Sequence, residues 1–168
     1  MKEQVEALTK KLALEPHPEG GFFKETYRSE GFIAEANLNG THEGDRSYAT
    51  CIYFMLTSEA FSAFHKIRQD EIWHFYTGSP IILHMISPSG DYARIEVGNY
   101  VLYGQHPQFV VPAGYWFASE VKEKDSYSLV GCTVSPGFDF RDFELANREE
   151  LTSLFPKHQE LIERLSRV

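Results

Sequence analysis

Residues 64–78 read FHKIRQDEIWHFYTG, and this stretch decides how the chain can fold. In an extended strand, successive side chains point to opposite faces, so Glu71 and Trp73 share one face. His65 precedes them in a second apolar run, and polar residues around Gln69 separate the two runs. A chain that turns near Gln69 brings His65 and Glu71 together across a hairpin, inside the fold. The stretch therefore predicts two β-strands that present an imidazole and a carboxylate to a buried interior.

The same alternation of apolar and polar residues extends to both sides of this stretch. Runs rich in β-branched and aromatic residues lie at 48–56, 72–76, 81–86, 92–97, 109–111 and 128–134. Turn-forming clusters separate them at 39–40, 77–80, 88–91 and 112–114, and the cluster at 88–91 predicts a hairpin. Alternating strand and helix units, which mark a parallel sheet, do not occur in the sequence. Short strands with close turns predict an all-β sandwich or barrel.

Helical periodicity occurs at the two ends of the chain. At the N-terminus an apolar stripe follows helical spacing, at Met1, Val5, Leu8 and Leu12. Near the C-terminus, Asn147 and Glu150 have the spacing of a helix-capping box, and apolar residues follow them. We therefore expect one domain, residues 1–168, in which short terminal helices flank a β-structure.

Composition limits the classes of function. The chain has 168 residues, of which 42% are hydrophobic, and a formal net charge of −8. A nucleic-acid-binding protein needs a basic surface, so we expect no nucleic-acid partner. No stretch approaches the ~20 apolar residues of a membrane span, and the N-terminus lacks the basic and apolar regions of a signal peptide. Cys51 and Cys132 form no disulfide or metal motif, so we expect a cytoplasmic protein with reduced cysteines and no membrane partner.

His65 and Glu71 are the candidate catalytic residues. A neutral imidazole beside a carboxylate is suited to general acid–base catalysis or to metal binding. The alternative is a buried hydrogen bond between the two side chains that only fixes their packing. Spacing alone leaves both interpretations open.

This stretch resembles the first signature of the cupin superfamily. That signature has a histidine, a second histidine two residues on, a glutamate four further and a glycine seven later. The corresponding positions here are His65, Ile67, Glu71 and Gly78. The second cupin signature, Pro-x-Gly followed three residues later by histidine, is similar to 112–114, with Phe117 at the histidine position.

The wider sequence resembles a small cupin family of uncharacterised function from bacteria and yeast. The segments that carry this resemblance are 18–21, 25–29, 52–54, 70–76, 111–117 and 131–140. The resemblance implies an RmlC-like cupin fold, a jelly-roll β-barrel also described as a double-stranded β-helix. It also implies a homodimer, and it implies no established reaction.

Two departures from the signatures bear on metal binding. The usual cupin site holds a metal with three histidines and one glutamate, and here Ile67 and Phe117 replace two of the histidines. The ligands that remain are fewer than a catalytic metal site normally keeps. His74 lies on the strand face opposite Glu71, and His84 contributes only in a register that the sequence does not define. We therefore expect no bound metal or other cofactor, and the dioxygenase chemistry common among cupins is disfavoured.

Aromatic residues complete the predicted pocket. Trp73, Phe75 and Phe117 share the inward face with the signature positions, and Tyr53 is expected nearby. Cavities lined by aromatic rings and a few polar groups suit small organic ligands. The ligand-binding candidates are His65, Glu71, Trp73, Phe75, Phe117 and Tyr53. Inward rings that only fill the core of a small barrel are the alternative.

Two further segments carry glycines and charged residues. Gly20-Gly21 permits close approach of the backbone, and Arg28 is suited either to an anionic ligand group or to a solvated strand face. Residues 135–142 are expected to form the exit from the last strand, with Asp142 and its charged neighbours in surface or interface ion pairs.

Three functions remain open from the sequence. The first is a metal-free cupin that binds a small organic molecule inside its barrel. The second is an isomerase that resembles the sugar-nucleotide epimerases of this fold, with His65 as the base that removes a proton next to a carbonyl. In that case Glu71 orients the imidazole, and Tyr53 or Tyr76 protonates the opposite face. The third is a structural or storage-type cupin dimer without catalysis.

Overall fold

A computed structural model describes residues 1–167 of the chain. Within these residues the α-helices lie near the ends and the strands lie between them. The helices are α1 (Lys2–Lys11), α2 (Arg148–Leu154) and α3 (Gln159–Arg164). The strands are β1 (Glu15–Pro16), β2 (Phe22–Arg28), β3 (Phe32–Ile33), β4 (Arg46–Ser47), β5 (Thr50–Thr57), β6 (Phe61–Lys66), β7 (Asp70–Gly78), β8 (Ile81–Ile86), β9 (Tyr92–Val97), β10 (Gln108–Val111), β11 (Trp116–Val121), β12 (Tyr127–Ser135) and β13 (Glu144–Leu145).

Two antiparallel sheets form the body of the protein. One has the strand order β1-β2-β5-β12-β7-β10 and the other has the order β13-β6-β11-β8-β9, while β3 and β4 form a small separate pair. Many neighbours in each sheet are distant in sequence, which is typical of a jelly roll. The predicted hairpin at 88–91 joins β8 to β9, and the Ser87 amide donates to the Asp91 carbonyl at 2.9 Å. The expected all-β jelly roll with terminal helices is confirmed.

The main core lies between the two sheets. Phe54 and Trp73 from the six-stranded sheet pack there with Leu83 and Phe117 from the five-stranded sheet. The Trp73 ring lies edge-on to Phe54 and Phe117, at centroid distances of 5.8 and 6.3 Å. Strand alternation sends the neighbouring His74 to the outer face, where its Nε2 lies 3.0 Å from the Thr133 hydroxyl.

The terminal helices cover the outer faces of the sheets. Residues of α1 pack over Met55 and Leu129 on the six-stranded sheet. The C-terminal helices pack over Phe64 and Trp116 on the five-stranded sheet. Both sheets therefore bury side chains on two faces, which explains why every residue of β8 is buried and why its sequence, IILHMI, does not alternate between apolar and polar residues.

The predicted cap of the C-terminal helix is present. Asn147 precedes α2, and its side-chain oxygen accepts a hydrogen bond from the Glu150 amide at 3.1 Å.

Across residues 1–167 no helix combines the length and the apolar character that a membrane crossing requires.

The predicted hairpin between the two runs of 64–78 is wrong. The chain does turn after β6, but β6 pairs with β11 and β13, whereas β7 pairs with β10 and β12 in the other sheet. Polar residues at 68–70 are compatible with a turn of any geometry, and tertiary contacts make this one a crossing between sheets. Gln69 is buried there and donates to Asp142 at 2.7 Å. His65 and Glu71 therefore face each other from opposite sheets.

Candidate functional site

A cavity of about 300 Å³ opens between the two sheets. It is lined by side chains from β2, β5, β6, β7 and β12, together with the turn before β2 and the segment after β12. His65 and Glu71 both line it, from β6 and β7 respectively. The two candidate catalytic residues thus share one cavity.

His65 is bonded to Glu19, a partner that the sequence did not predict. Its Nε2 lies 2.8 Å from the Glu19 carboxylate, and its Nδ1 lies 2.7 Å from the Ala63 carbonyl. A carbonyl oxygen only accepts, so Nδ1 carries a proton and donates it. Burial is the largest single effect and lowers the pKa of His65, but the charge of Glu19, the hydrogen bonds to Glu19 and Ala63, and the charge of Glu71 together outweigh it, so the pKa is raised. His65 is therefore an imidazolium whose two N–H groups point at fixed protein acceptors.

Glu19 is the negative member of this buried pair. Its residue is 6% exposed, and burial alone would raise the pKa of its carboxyl group. The charge of His65 and its hydrogen bond reverse that effect, so the pKa of Glu19 is lowered. The turn that carries Glu19 requires glycine at position 20. Gly20 adopts φ +116, and a Cβ there would lie 2.2 Å from the Phe61 carbonyl oxygen.

His17 is the neutral neighbour of this pair. Its Nδ1 accepts a hydrogen bond from the Glu19 backbone amide at 3.2 Å, so that nitrogen carries no proton. Burial lowers the pKa of His17 and outweighs the opposing charge of Glu19, which leaves the ring uncharged.

Glu71 lies in the same cavity and is not bonded to His65. It is 9% exposed, and the Cys132 thiol is its hydrogen-bond donor. Burial, followed by the negative charge of Glu19, raises the pKa of Glu71 to about 7, and the charge of His65 opposes this only in part. The predicted His65–Glu71 pair is thus corrected to His65–Glu19, with Glu71 as a separate carboxyl group.

Arg28 and Glu25 stand at the exposed edge of the cavity. The Arg28 guanidinium binds both oxygens of Glu25, at 2.9 and 2.8 Å, and also donates to the Phe138 carbonyl at 3.0 Å. The hydrogen bond to Glu25 raises the pKa of Arg28 against the effect of burial. The sequence suggested either an anion-binding role for Arg28 or a place on a solvated strand face. The geometry favours the second interpretation, because the guanidinium is partly exposed and already donates to protein acceptors.

Phenylalanine rings form the apolar wall. Phe23 comes from β2, and Phe138, Phe140 and Phe143 come from the segment after β12. The rings of Phe138 and Phe140 lie edge-on with centroids 5.0 Å apart, and Phe143 lies 5.4 Å from the His65 ring. The segment expected to be a plain exit from the last strand therefore forms part of the cavity.

A buried ion pair holds that segment in position. The Asp142 carboxylate accepts from Arg46 Nε and a terminal nitrogen, both at 2.8 Å, and from Gln69 at 2.7 Å. The side chains of Asp142 and Arg46 are 0% and 1% exposed. The expectation that Asp142 forms a surface or interface pair is therefore wrong, because β4 and the turn before β7 close over it.

The predicted aromatic candidates lie elsewhere. Trp73 and Phe117 are each 1% exposed and fill the core, although the Phe117 ring lies 4.1 Å from the His65 ring. Phe75 packs against that core, and Tyr53 lies on the outer face against Tyr76, at 6.0 Å between centroids. None of the four lines the cavity. Parity identifies which residues point inward, but it does not tell core filling from cavity lining.

Comparison with known proteins identifies the family. The model of the family described as Cupin superfamily (DUF985) matches residues 6–146. The chain belongs to this family. It is 34% identical to an uncharacterised protein of Saccharomyces cerevisiae over 143 residues, which cover 80% of this chain and 71% of that protein. The predicted family and its cupin fold are confirmed.

Solved structures agree with this assignment. A protein of Shewanella oneidensis is 39% identical, with a TM-score of 0.87 and 97% of each chain covered. A hypothetical protein from Leishmania major is 36% identical, with a TM-score of 0.88, and the match covers 98% of this chain and 99% of that one. Oxalate decarboxylase from Bacillus subtilis is 14% identical with a TM-score of 0.53, and this likeness extends to the fold alone.

The donor atoms present do not fit the usual cupin metal. His65 has no free nitrogen lone pair, and Ile67 and Phe117 offer no donor atom. His84 is bonded to the Tyr92 hydroxyl and to Glu120, at 2.7 and 3.0 Å, and does not line the cavity. Among residues 1–167 no three histidine, cysteine or acidic side chains converge on a point that a metal ion could occupy.

Sequence reasoning missed Glu19, His17 and the Phe138–Phe143 wall. Each lies far along the chain from His65 and joins it only through the packing of the two sheets. A signal was nevertheless present, because 18–21 and 131–140 are among the segments that carry the family resemblance. Gly20-Gly21 pointed to close backbone approach, and Glu19 is the residue that this approach buries.

Proposed function

We propose that this chain binds a small organic molecule in the cavity between its sheets, without a resident metal. The observation that carries the proposal is a cavity of about 300 Å³ in which phenylalanine walls surround the buried polar groups of Glu19, His65 and Glu71. That volume lies at the lower end of ligand-binding cavities, and apolar walls with few convergent polar groups are their usual composition. A purely structural cupin needs no such opening in its core.

Metal independence is supported by the bonding of His65. Both of its ring nitrogens donate to protein oxygens, so coordination would require the loss of the bond to Glu19 or of the bond to Ala63. Elemental analysis of the purified protein is expected to find no stoichiometric transition metal. A stoichiometric metal that dialysis against a chelator removes, with loss of ligand binding, would contradict this part of the proposal.

A thermal-shift screen tests the binding site itself. The screen covers sugar nucleotides, nucleotides, small acids, alcohols and amines, and a ligand raises the melting temperature once its concentration exceeds its Kd. The variant Val134→Phe fills the cavity from β12, where Val134 is 5% exposed and pairs with Glu71. It is expected to abolish the shift. The control Val110→Phe adds the same volume on the edge strand β10, where Val110 is 45% exposed, and is expected to leave the shift unchanged.

A histidine pair gives an independent check. His65→Ala is expected to reduce the ligand-induced shift more than His74→Ala, because His65 lines the cavity and His74 contacts Thr133 on the outer face. Equal effects of the two substitutions, or a thermal shift that survives Val134→Phe, would show that the ligand binds outside this cavity.

A second candidate, an isomerase, is favoured by Glu71. Its carboxyl group has a pKa raised to about 7, which is suited to general acid–base catalysis near neutral pH. In this version Glu71 takes the role first given to His65, since the imidazolium has no free lone pair, and Tyr53 and Tyr76 lie outside the cavity. Incubating carbonyl compounds with the protein in D2O tests it. Deuterium incorporation next to the carbonyl, lost in Glu71→Gln, would support it, and no exchange would exclude it for those compounds.

A further inference from the structure

Glu71 is a buried carboxyl group that lines the cavity. It forms no ion pair among residues 1–167, and its hydrogen-bond donor there is the uncharged Cys132 thiol. A buried carboxylate is stable when a cation is bonded to it, and within residues 1–167 the nearby cation, His65, is bonded to Glu19 and not to Glu71. The part of the cavity lined by Glu71 is therefore suited to a positively charged group of a ligand.

The two cations that line the cavity, His65 and Arg28, already bind acceptors of the protein. His65 donates to Glu19 and Ala63, and Arg28 donates to Glu25 and the Phe138 carbonyl. Within the part of the chain that the structure describes, an anionic ligand in this cavity would meet Glu71 and the ionised Glu19, while both cations that line it already bind protein acceptors. The balance of charge disfavours anions and favours a cation.

The wall of the cavity is also suited to a cationic ligand. Phe23, Phe138, Phe140 and Phe143 line it, and the faces of aromatic rings attract cations while their apolar surface accepts a hydrocarbon body. A ligand with an ammonium group at one end and an apolar body at the other satisfies both parts of the cavity.

We propose that the cavity binds a small primary amine whose ammonium group forms an ion pair with Glu71 and whose apolar body packs against the phenylalanine wall. This inference rests on the proposed function, since it names the class of molecule that the same cavity takes. Glu71 is then the residue that determines which ligand charge the cavity prefers.

The test compares three probes of nearly equal size and different charge. Benzylamine, benzyl alcohol and benzoate are titrated into the 168-residue chain at pH 8, and Kd is measured by ligand-observed NMR or calorimetry. Benzylamine is expected to bind at least about tenfold more tightly than benzyl alcohol, and benzoate is expected to bind most weakly. In Glu71→Gln the ratio between the amine and the alcohol is expected to fall to about one. Glu59→Gln, at an exposed position between β5 and β6, is expected to keep the wild-type ratio.

Other outcomes separate the two proposals. If benzyl alcohol or benzoate binds as tightly as benzylamine, the amine assignment is overturned while small-molecule binding stands. An amine preference that survives Glu71→Gln, in a variant shown to be folded by circular dichroism, also overturns it. If benzylamine does not bind at all, the amine assignment fails. The wider thermal-shift screen with Val134→Phe then tests whether the cavity binds any small molecule. Benzylamine binding that Val134→Phe abolishes supports the assignment by a route that leaves Glu71 intact.

Discussion

Replacing Glu71 by glutamine should make the protein more stable at alkaline pH and leave it almost unchanged in acid. The carboxyl group is 9% exposed and has no cation bonded to it among residues 1–167. Glutamine has nearly the same shape and is uncharged at every pH. The substitution therefore removes the cost of burying a charge and changes the packing little.

The magnitude follows from the difference between the pKa of Glu71 in the folded and unfolded chain. The folded value is about 7 and the ordinary value is 4.5. Between these values the folded chain keeps a proton that the unfolded chain has released, so the free energy of unfolding falls as pH rises. Each pH unit lowers it by about 1.4 kcal/mol, and over the whole window the loss is about 3 kcal/mol. Above pH 7 the loss is complete, and below pH 4.5 it is absent.

Urea denaturation from pH 5 to pH 8.5 measures this effect. Between pH 5 and pH 8 the stability difference between Glu71→Gln and the wild type is expected to grow by about 2–3 kcal/mol, because a small part of the loss has already occurred at pH 5. Glu19 and His65 titrate in both proteins, so most of their contribution cancels in the difference. Glu59→Gln is the control for loss of an exposed carboxylate and is expected to stay within about 0.5 kcal/mol of the wild type. A Glu71→Gln difference that does not change with pH would refute the burial of an uncompensated carboxyl group.

Three further expectations concern the segment after β12, the last helices and the assembly. Asp142→Asn should cost about 3 kcal/mol in urea unfolding, because it leaves Arg46 buried without its counter-charge. Asp139→Asn, which loses an ion pair with the exposed Arg141, should cost much less, and equal costs would contradict the role of burial. Asn147→Ala should cost about 1 kcal/mol through loss of the helix cap, and no change would show that this cap is dispensable. The homodimer implied by the family remains a prediction, which light scattering coupled to size exclusion tests; a monomer at micromolar concentration would contradict it.

Much of the fold could be predicted from local sequence features. The apolar runs and turn clusters gave the strands and the hairpin at 88–91, and the spacing of Asn147 and Glu150 gave the start of α2. These features depend on neighbours in the chain, so the sequence carries them directly. The wrong hairpin prediction at 68–70 has a different origin. A turn there is local, but the sheet that receives the next strand is chosen by long-range packing.

The candidate site could be predicted only in part. Strand parity correctly turned His65, Glu71 and Trp73 inward, and it could not show that Trp73 fills the core while His65 and Glu71 line a cavity. That distinction depends on how closely the opposing sheet approaches at each level, which no local pattern records.

By itself, the sequence determined the class of fold, the family, and the presence of a histidine and a glutamate at cupin signature positions. It also determined that Ile67 and Phe117 supply no metal-binding atom. The tertiary structure alone decided the chemical state of those polar groups. Among residues 1–167 it bonded His65 to Glu19 and not to Glu71, and it lined the cavity that these residues share with phenylalanine rings. Charge and solvation depend on which groups meet in space, and here the groups that meet come from both ends of the chain.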